Sequence, residues 1–307
     1  MADELRSIID FIRYGASRFN AASLSFGHGH VAALDEAAQL VMHALHLPPD
    51  IPPIYGQSRV TADERAAILT LLERRVRERK PAAYLTGEAW FAELAFKSDP
   101  RALVPRSPIA ELILAGFEPW RAERPIERAL DLCTGSGCIG IALAVHQPAW
   151  QVDIADISAE ALALAHENVA LQHVGERVRV LESDLFAGLA GEVYDLIVSN
   201  PPYVPAAEVA TLPPEYAHEP ALGLAAGDDG LDLALRILRD APSHLSAHGL
   251  LIVEVGDSEA ALAGLLPEVP FTWIEFKVGQ MGVFVLDAVQ LAQAAPLAAR
   301  ALAARGG

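Results

Sequence analysis

The sequence predicts an α/β protein: a seven-stranded sheet, mostly parallel with one antiparallel edge strand, covered by helices on both faces and preceded by a smaller helical domain. Three observations carry this. From about Glu127 onward, short apolar runs alternate with stretches of helical periodicity, the pattern of parallel strands buried on both faces. Before residue 87 the apolar residues recur only at helical spacing, with proline-rich breaks between them. The last two strand candidates are joined by the short Phe276–Gly282 segment, too short for a crossover, so one edge strand runs antiparallel.

Taken in order, Leu5, Ile8, Ile9 and Ile12 form a first helical stripe, and Leu34, Ala37, Ala38, Val41 and Leu45 a second. Ile68, Leu71, Leu72 and Val76 form a third behind Thr61, a residue suited to capping a helix. Between them, Leu47-Pro48-Pro49-Asp50-Ile51-Pro52-Pro53 cannot continue a helix, because each proline lacks the donor and restricts its predecessor. Residues 1–86 therefore read as a helical domain. Residues 87–106 read as a hairpin linker, with Trp90, Phe91, Leu94 and Phe96 before the turn signal Ser98-Asp99-Pro100. Residues 107–290 form the sheet domain, with strands expected at Arg128–Leu132, Gln151–Asp156, Arg177–Leu181, Asp195–Ser199, Leu250–Val255, Phe271–Glu275 and Val283–Leu286. Helices fall between, notably Ala159–Leu171 and Leu231–Arg239, and residues 291–307 read as an Ala-rich tail.

Composition narrows the function classes. Hydrophobic residues make up 52% and charged residues 21% of 307, the balance of a folded chain rather than a disordered one. No apolar run approaches the ~20 residues that span a bilayer, and the N-terminus lacks the basic start of a secretory signal, so the expected location is the cytoplasm with no membrane partner. Cys133 and Cys138, the only cysteines, are expected to be reduced. Forty acidic against 23 basic side chains give a formal charge of −17, which disfavours phosphate backbones and stable nucleic-acid binding. The basic run Arg74-Arg75-Val76-Arg77-Glu78-Arg79-Lys80 reads as a solvated helix face. Three of the four histidines His28, His30, His43 and His46 lack a clustered carboxylate or cysteine, so they read as packing or hydrogen-bonding residues and no metal site is expected.

Two segments carry chemistry. Leu130-Asp131-Leu132 runs into Cys133-Thr134-Gly135-Ser136-Gly137-Cys138-Ile139-Gly140, a glycine-rich turn between a strand and a helix, and Asp156 closes the next strand. Glycines admit a ligand close to the backbone and a carboxylate accepts from ribose hydroxyls, needs shared by NAD and S-adenosylmethionine. Charge separates them: a pyrophosphate is anionic, whereas S-adenosylmethionine presents a sulfonium and an ammonium, which suit Asp131 just before the turn. Asp184 ends the third strand, where it either accepts from an adenine amine or caps the following segment.

The fourth strand runs directly into Asn200-Pro201-Pro202-Tyr203. The prolines fix the chain direction and remove donors, leaving the Pro201 carbonyl and the Asn200 side-chain oxygen as acceptors for the two N–H bonds of a primary amide or exocyclic amine. Tyr203 is placed to stack on the planar target.

At these residues the sequence resembles the class I methyltransferases, Rossmann-like in fold, and within them the protein glutamine methyltransferases, whose hallmark is the Asn-Pro-Pro-Tyr element. The resemblance covers nearly the whole chain, including Pro81–Gly87, His218-Glu219-Pro220 and Gly227-Asp228-Asp229-Gly230. Of that family's two bacterial branches, Phe26-Gly27-His28-Gly29-His30, Pro105-Arg106-Ser107-Pro108 and Cys133–Cys138 resemble the one acting on large-subunit ribosomal protein L-three rather than on peptide release factors. It implies S-adenosylmethionine as cofactor, held by Thr134, Gly135, Ser136, Gly137, Asp156, Asp184, Leu185 and Asn200. It implies substrate contacts at Asn200, Pro201, Pro202 and Tyr203, with the N-terminal domain recognising the substrate. One departure is Val278-Gly279-Gln280-Met281-Gly282, where relatives often carry Gly-Asp-Gly. Three rivals remain. A DNA adenine methyltransferase would present a flipped base to such a tetrapeptide, an NAD-dependent oxidoreductase leaves the tetrapeptide unexplained, and a non-catalytic assembly factor would use the fold only to bind.

Overall fold

The computed structural model describes residues 4–29, 32–48, 51–121, 125–277 and 282–305; His30, Pro49, Asp50 and the divergent Val278–Met281 segment lie outside them. Helices α1 (Ile8–Ala21), α2 (Ala33–Ala44) and α3 (Ala62–Glu78) form the N-terminal domain, followed by the short α4 (Ala82–Thr86). Capping boxes start α1 at Ser7 with Asp10 and α3 at Thr61 with Glu64, so the first backbone donors of each helix are met locally. The three bury Phe11, Phe19, Leu40, Ile68 and Leu72 in a core of their own. Gly15 permits the contact: a Cβ there would lie 2.9 Å from Leu72 Cδ2.

The linker hairpin pairs β1 (Glu88–Phe91) with β2 (Leu94–Lys97), antiparallel. Its two-residue turn, Ala92-Glu93, has positive φ at both positions, the twist a tight hairpin requires. Then follow α5 (Ile109–Leu114), β3 (Arg128–Leu132), α6 (Cys138–His146), β4 (Gln151–Asp156), α7 (Ala159–Leu171), β5 (Val178–Glu182), β6 (Tyr194–Ser199), the one-turn α8 (Ala206–Val209), α9 (Asp232–Asp240), β7 (Leu245–Glu254), α10 (Glu259–Leu265), β8 (Thr272–Trp273), β9 (Val283–Asp287) and α11 (Ala288–Ala304).

The seven-stranded sheet has the order β5-β4-β3-β6-β7-β9-β8, parallel from β5 to β7. Alternate residues of each strand feed two cores, one on each face: Ala129, Val152, Ile154 and Leu196 on one, Leu130, Leu132, Ile197 and Leu251 on the other. Two details differ from the sequence reading. The reversed strand, β9, lies one place in from the edge, antiparallel to both β7 and β8, because the short connection turns β8 back into β9 and β9 inserts beside β7. The expected tail is α11, whose Leu291, Ala294, Ala298 and Leu302 are buried in the second core; alanine-rich composition hid an amphipathic helix started by an Asp287 capping box.

The basic run is only in part a solvated face: Arg74 and Arg77 pair with Glu78 at the surface, but Arg75 and Arg79 turn to buried carboxylates. Arg75 is fully buried, its Nε 2.5 Å from Glu36 Oε1 and its Nη1 3.7 Å from Glu215 Oε1, while Arg79 Nη2 reaches Glu215 Oε1 at 2.8 Å. The reason is geometric: α3 ends where the loop carrying Glu215 returns from the sheet domain, and two buried carboxylates there require cations. Among the described residues no helix is long and apolar enough to cross a membrane.

Candidate active site

A cavity of about 1080 Å³ opens at the carboxyl ends of the parallel strands, between the linker, the glycine turn, the tetrapeptide and the end of α11. It straddles β3 and β6, where the strand order reverses, which is where open parallel sheets bind ligands. Thr134, Gly135, Ser136, Asp156, Asp184, Leu185, Asn200, Pro201, Pro202 and Tyr203 all line it; Asp131 and Gly137 do not.

The glycine turn is built by specific contacts. Cys133, Gly135 and Gly137 all have positive φ. Gly137 serves the fold: a Cβ would meet Ile141 Cδ1 at 2.8 Å, so the residue lies against the sheet side of α6. A Cβ at Gly140 would lie 2.2 Å from Ile154 Cγ2, so α6 can rest on β4 only without one. Asp131 is fully buried under the turn, its Oδ2 accepting from Gly140 N at 2.8 Å and from the Thr134 hydroxyl. Burial pushes its carboxyl up to about 7, against those hydrogen bonds, which pull it down. The turn folding back over the strand end brings its own donors to one oxygen of that carboxylate. Among the described residues its Oδ1, also buried, has no hydrogen-bond partner.

Asp156 stands at the rim. Its Oδ2 accepts from Gly135 N at 2.8 Å and its Oδ1 from Ser158 N at 2.9 Å, while burial pushes its carboxyl up. The turn amide that a pyrophosphate would take is thus already met by a carboxylate, which suits a cationic nucleoside and repels a dinucleotide phosphate. The cavity volume, the positive-φ glycine at its wall and the carboxylates around the turn fit S-adenosylmethionine, with Asp156 for the ribose hydroxyls. Asp184 neither caps a helix nor stands free: Arg236 Nη2 reaches its Oδ1 at 2.8 Å across the cavity.

At the tetrapeptide, Ser199 Oγ donates to the Leu132 carbonyl at 2.7 Å, locking the end of β6 to β3 beside the glycine turn. Behind it, Val204 N donates to Leu224 O at 2.9 Å and Ala226 N to Val204 O at 3.0 Å, so the returning loop braces the prolines. Among the described residues no protein donor takes the Pro201 carbonyl or the Asn200 carboxamide oxygen. Two acceptors at the wall of a cavity are left for a ligand.

The sequence reading assigned no role to several residues that build this site. Glu219, buried, accepts from Arg106 Nη1 at 2.6 Å and Nη2 at 2.9 Å and from Val104 N at 3.0 Å, and His28 Nε2 lies 3.5 Å away. Burial pushes the Glu219 carboxyl up, but His28 and the Arg106 guanidinium outweigh it and hold it at about 2. His28, expected to pack or hydrogen-bond, also packs against Tyr216, the ring centroids 4.4 Å apart and the planes tilted by 47°. Asn168, buried in α7, donates to Ser136 O at 2.9 Å and accepts from Lys97 N at 2.8 Å, joining the turn to the linker hairpin. A buried asparagine in an alanine-rich helix was the available signal. Among the described residues no group of histidines, cysteines and carboxylates could hold a metal.

Residues 112–212 match the model of the methyltransferase small domain. By structure, the chain is similar to the hMettl16 catalytic domain in complex with MAT2A 3'UTR hairpin 1, with a TM-score of 0.50, 19% identity and coverage of 78% of this chain and 84% of that one, a likeness that concerns the fold alone. By sequence it is 65% identical over 290 residues to the ribosomal protein uL3 glutamine methyltransferase of Xanthomonas campestris pv. campestris, covering 94% of each chain. It is 62% identical over 301 residues to that of Xylella fastidiosa, covering 98% of this chain and 96% of the relative. Identity of that degree, running through the N-terminal domain as well as the sheet, means that the chain belongs to the ribosomal protein uL3 glutamine methyltransferase family.

Proposed function

We propose that this chain transfers a methyl group from S-adenosylmethionine to the side-chain amide nitrogen of a glutamine in ribosomal protein uL3. The observation that carries this is the pair of unoccupied acceptors, the Asn200 carboxamide oxygen and the Pro201 carbonyl, beside a turn whose amide is met by Asp156. S-adenosylmethionine, when bound, supplies an electrophilic methyl whose leaving group is a neutral thioether. Thr134, Gly135, Ser136, Asp156 and Leu185 hold it, and Asp184 does so through a carboxylate already oriented by Arg236.

An amide nitrogen is a weak nucleophile because resonance occupies its lone pair. Asn200 and Pro201 accept its two N–H bonds, fix its orientation and leave one face of the nitrogen toward the methyl; Tyr203 and Pro202 flank the amide plane. Orientation of this kind supplies up to ~7–11 kcal/mol in intramolecular reactions. As the C–N bond forms, the nitrogen becomes acidic and loses one proton to solvent, so no strong base is needed.

The N-terminal domain, residues 1–86, recognises the protein substrate. A protein rather than a nucleic acid is favoured by the −17 charge and by Arg75 and Arg79, which face Glu36 and Glu215 instead of solvent phosphates. The setting consistent with a ribosomal substrate is the cytoplasm. Purified chain incubated with methyl-labelled S-adenosylmethionine and either uL3 or a release factor, followed by peptide mass spectrometry, tests the reading. Label on a uL3 glutamine is expected, and label on the release factor alone would overturn it. A thermal-shift titration in which NAD stabilises the chain and S-adenosylmethionine does not would also overturn it.

A further inference from the structure

Glu254, the last residue of β7, is 1% exposed and does not line the cavity, yet both its oxygens are engaged. Oε2 accepts from Ser107 Oγ at 2.6 Å and Oε1 from the Tyr203 hydroxyl at 3.2 Å. Ser107 Oγ in turn accepts from Ile109 N at 3.2 Å, so its hydroxyl proton is committed to the carboxylate. Among the described residues no cation is hydrogen-bonded to Glu254; Arg106, whose charge bears on it, is held by Glu219. A buried carboxylate without an ion partner is expensive for a fold, and an apolar side chain would fill the end of a strand at less cost. What the carboxylate does contact is the tyrosine of the tetrapeptide.

Tyr203 is gripped elsewhere too. A Cβ at Gly256 would lie 2.4 Å from its Cε2, and Ser258 Oγ donates to its carbonyl at 3.2 Å. Gly256 limits one face of the ring and Ser258 fixes the backbone, which leaves the hydroxyl as the handle that sets the ring's direction.

We infer that Glu254 is a positioning residue for glutamine methylation: together with Ser107 it fixes the Tyr203 hydroxyl, and so sets the ring against which the target amide lies. The inference rests on the function proposed above and deepens it, by tying the linker segment at Ser107 to the orientation of the amide.

The test is a kinetic cycle on the full chain with uL3 as substrate, using Tyr203→Phe, Glu254→Ala, Glu254→Gln and the Tyr203→Phe/Glu254→Ala pair. Glu254→Ala is expected to lower kcat on the order of tenfold, in line with a misplaced contact, while the cofactor Kd and the KM for uL3 stay within about twofold. Glu254→Gln, which keeps an acceptor for the hydroxyl, recovers most of the lost rate. The double variant is no slower than Tyr203→Phe by more than about twofold, because the partner through which Glu254 acts is already gone. Losses that multiply in the double variant, or a Glu254→Gln chain as slow as Glu254→Ala, overturn the inference. If Glu254→Ala fails to fold, Glu254→Gln and Tyr203→Phe still decide: a Glu254→Gln chain slower than Tyr203→Phe contradicts it. Absence of turnover in the unaltered chain would instead remove the proposed function, so the two failures are distinct.

Discussion

Asn200→Ala separates chemistry from binding. No protein hydrogen bond is lost, because among the described residues none is made by that carboxamide. The residue is only half-buried, so the substitution costs less than about 1 kcal/mol and moves Tm by no more than a few degrees for a chain of this size. What goes is one of two preorganised acceptors for the reacting nitrogen. Removing one such contact in other enzymes costs ~10²–10³ in rate, about 2.7–4 kcal/mol. With the cofactor still held by Asp156 and the turn, its Kd should change far less than kcat. Single-turnover methyl transfer to uL3, read beside calorimetric titration with S-adenosylmethionine, gives both quantities. Losses of similar size in rate and in cofactor affinity would refute the assignment of the acceptor pair.

Other expectations follow from the same contacts. Gly140→Ala forces a methyl to within 2.2 Å of Ile154 Cγ2, so overpacking of ~1–3 kcal/mol should lower Tm and weaken cofactor binding together; unchanged calorimetry would mean that α6 has room to shift. Arg75→Met takes the buried cation from Glu36 and leaves Glu215 to Arg79 alone, and urea melts should show a loss of ~3–5 kcal/mol. Glu219, held at about 2 from an ordinary 4.5, contributes stability in full above about pH 4.5, and that stability is lost as pH falls through about 2; in Glu219→Gln the acid limb of a pH–stability curve should flatten. Asp131 has the opposite sign. Raised from 3.8 to about 7, it contributes most below pH 4 and loses that contribution as pH rises through 7, so Asp131→Asn should reduce the fall in stability across that window.

The parts of this fold legible in the sequence are those set by local rules. Strand β3, the glycine turn and the helix after it announce themselves through apolar alternation and glycine spacing, and the tetrapeptide through its two prolines. The illegible parts depend on partners distant in sequence. Arg75 looked like one of a solvated basic run because nothing nearby reveals that Glu36 and Glu215, 39 and 140 positions away by subtraction, would close over it. Asp131 was visible from its place before the turn, whereas the folding-back that commits one of its oxygens to Gly140 and Thr134 was not. The C-terminal helix was missed for another reason: alanine contributes little to a hydrophobic stripe, yet Ala294 and Ala298 are fully buried against the second core.

The central claim is that the Asn200 side-chain oxygen and the Pro201 carbonyl together hold the nitrogen of a glutamine amide. A crystal of the chain with S-adenosylhomocysteine and a glutamine peptide of uL3 measures it directly. The account predicts the amide nitrogen within hydrogen-bond distance of both oxygens, about 2.7–3.2 Å, with its free face toward the sulfur. A glutamine seated elsewhere in the cavity, or an Asn200 side chain directed away from the sulfur, would contradict it.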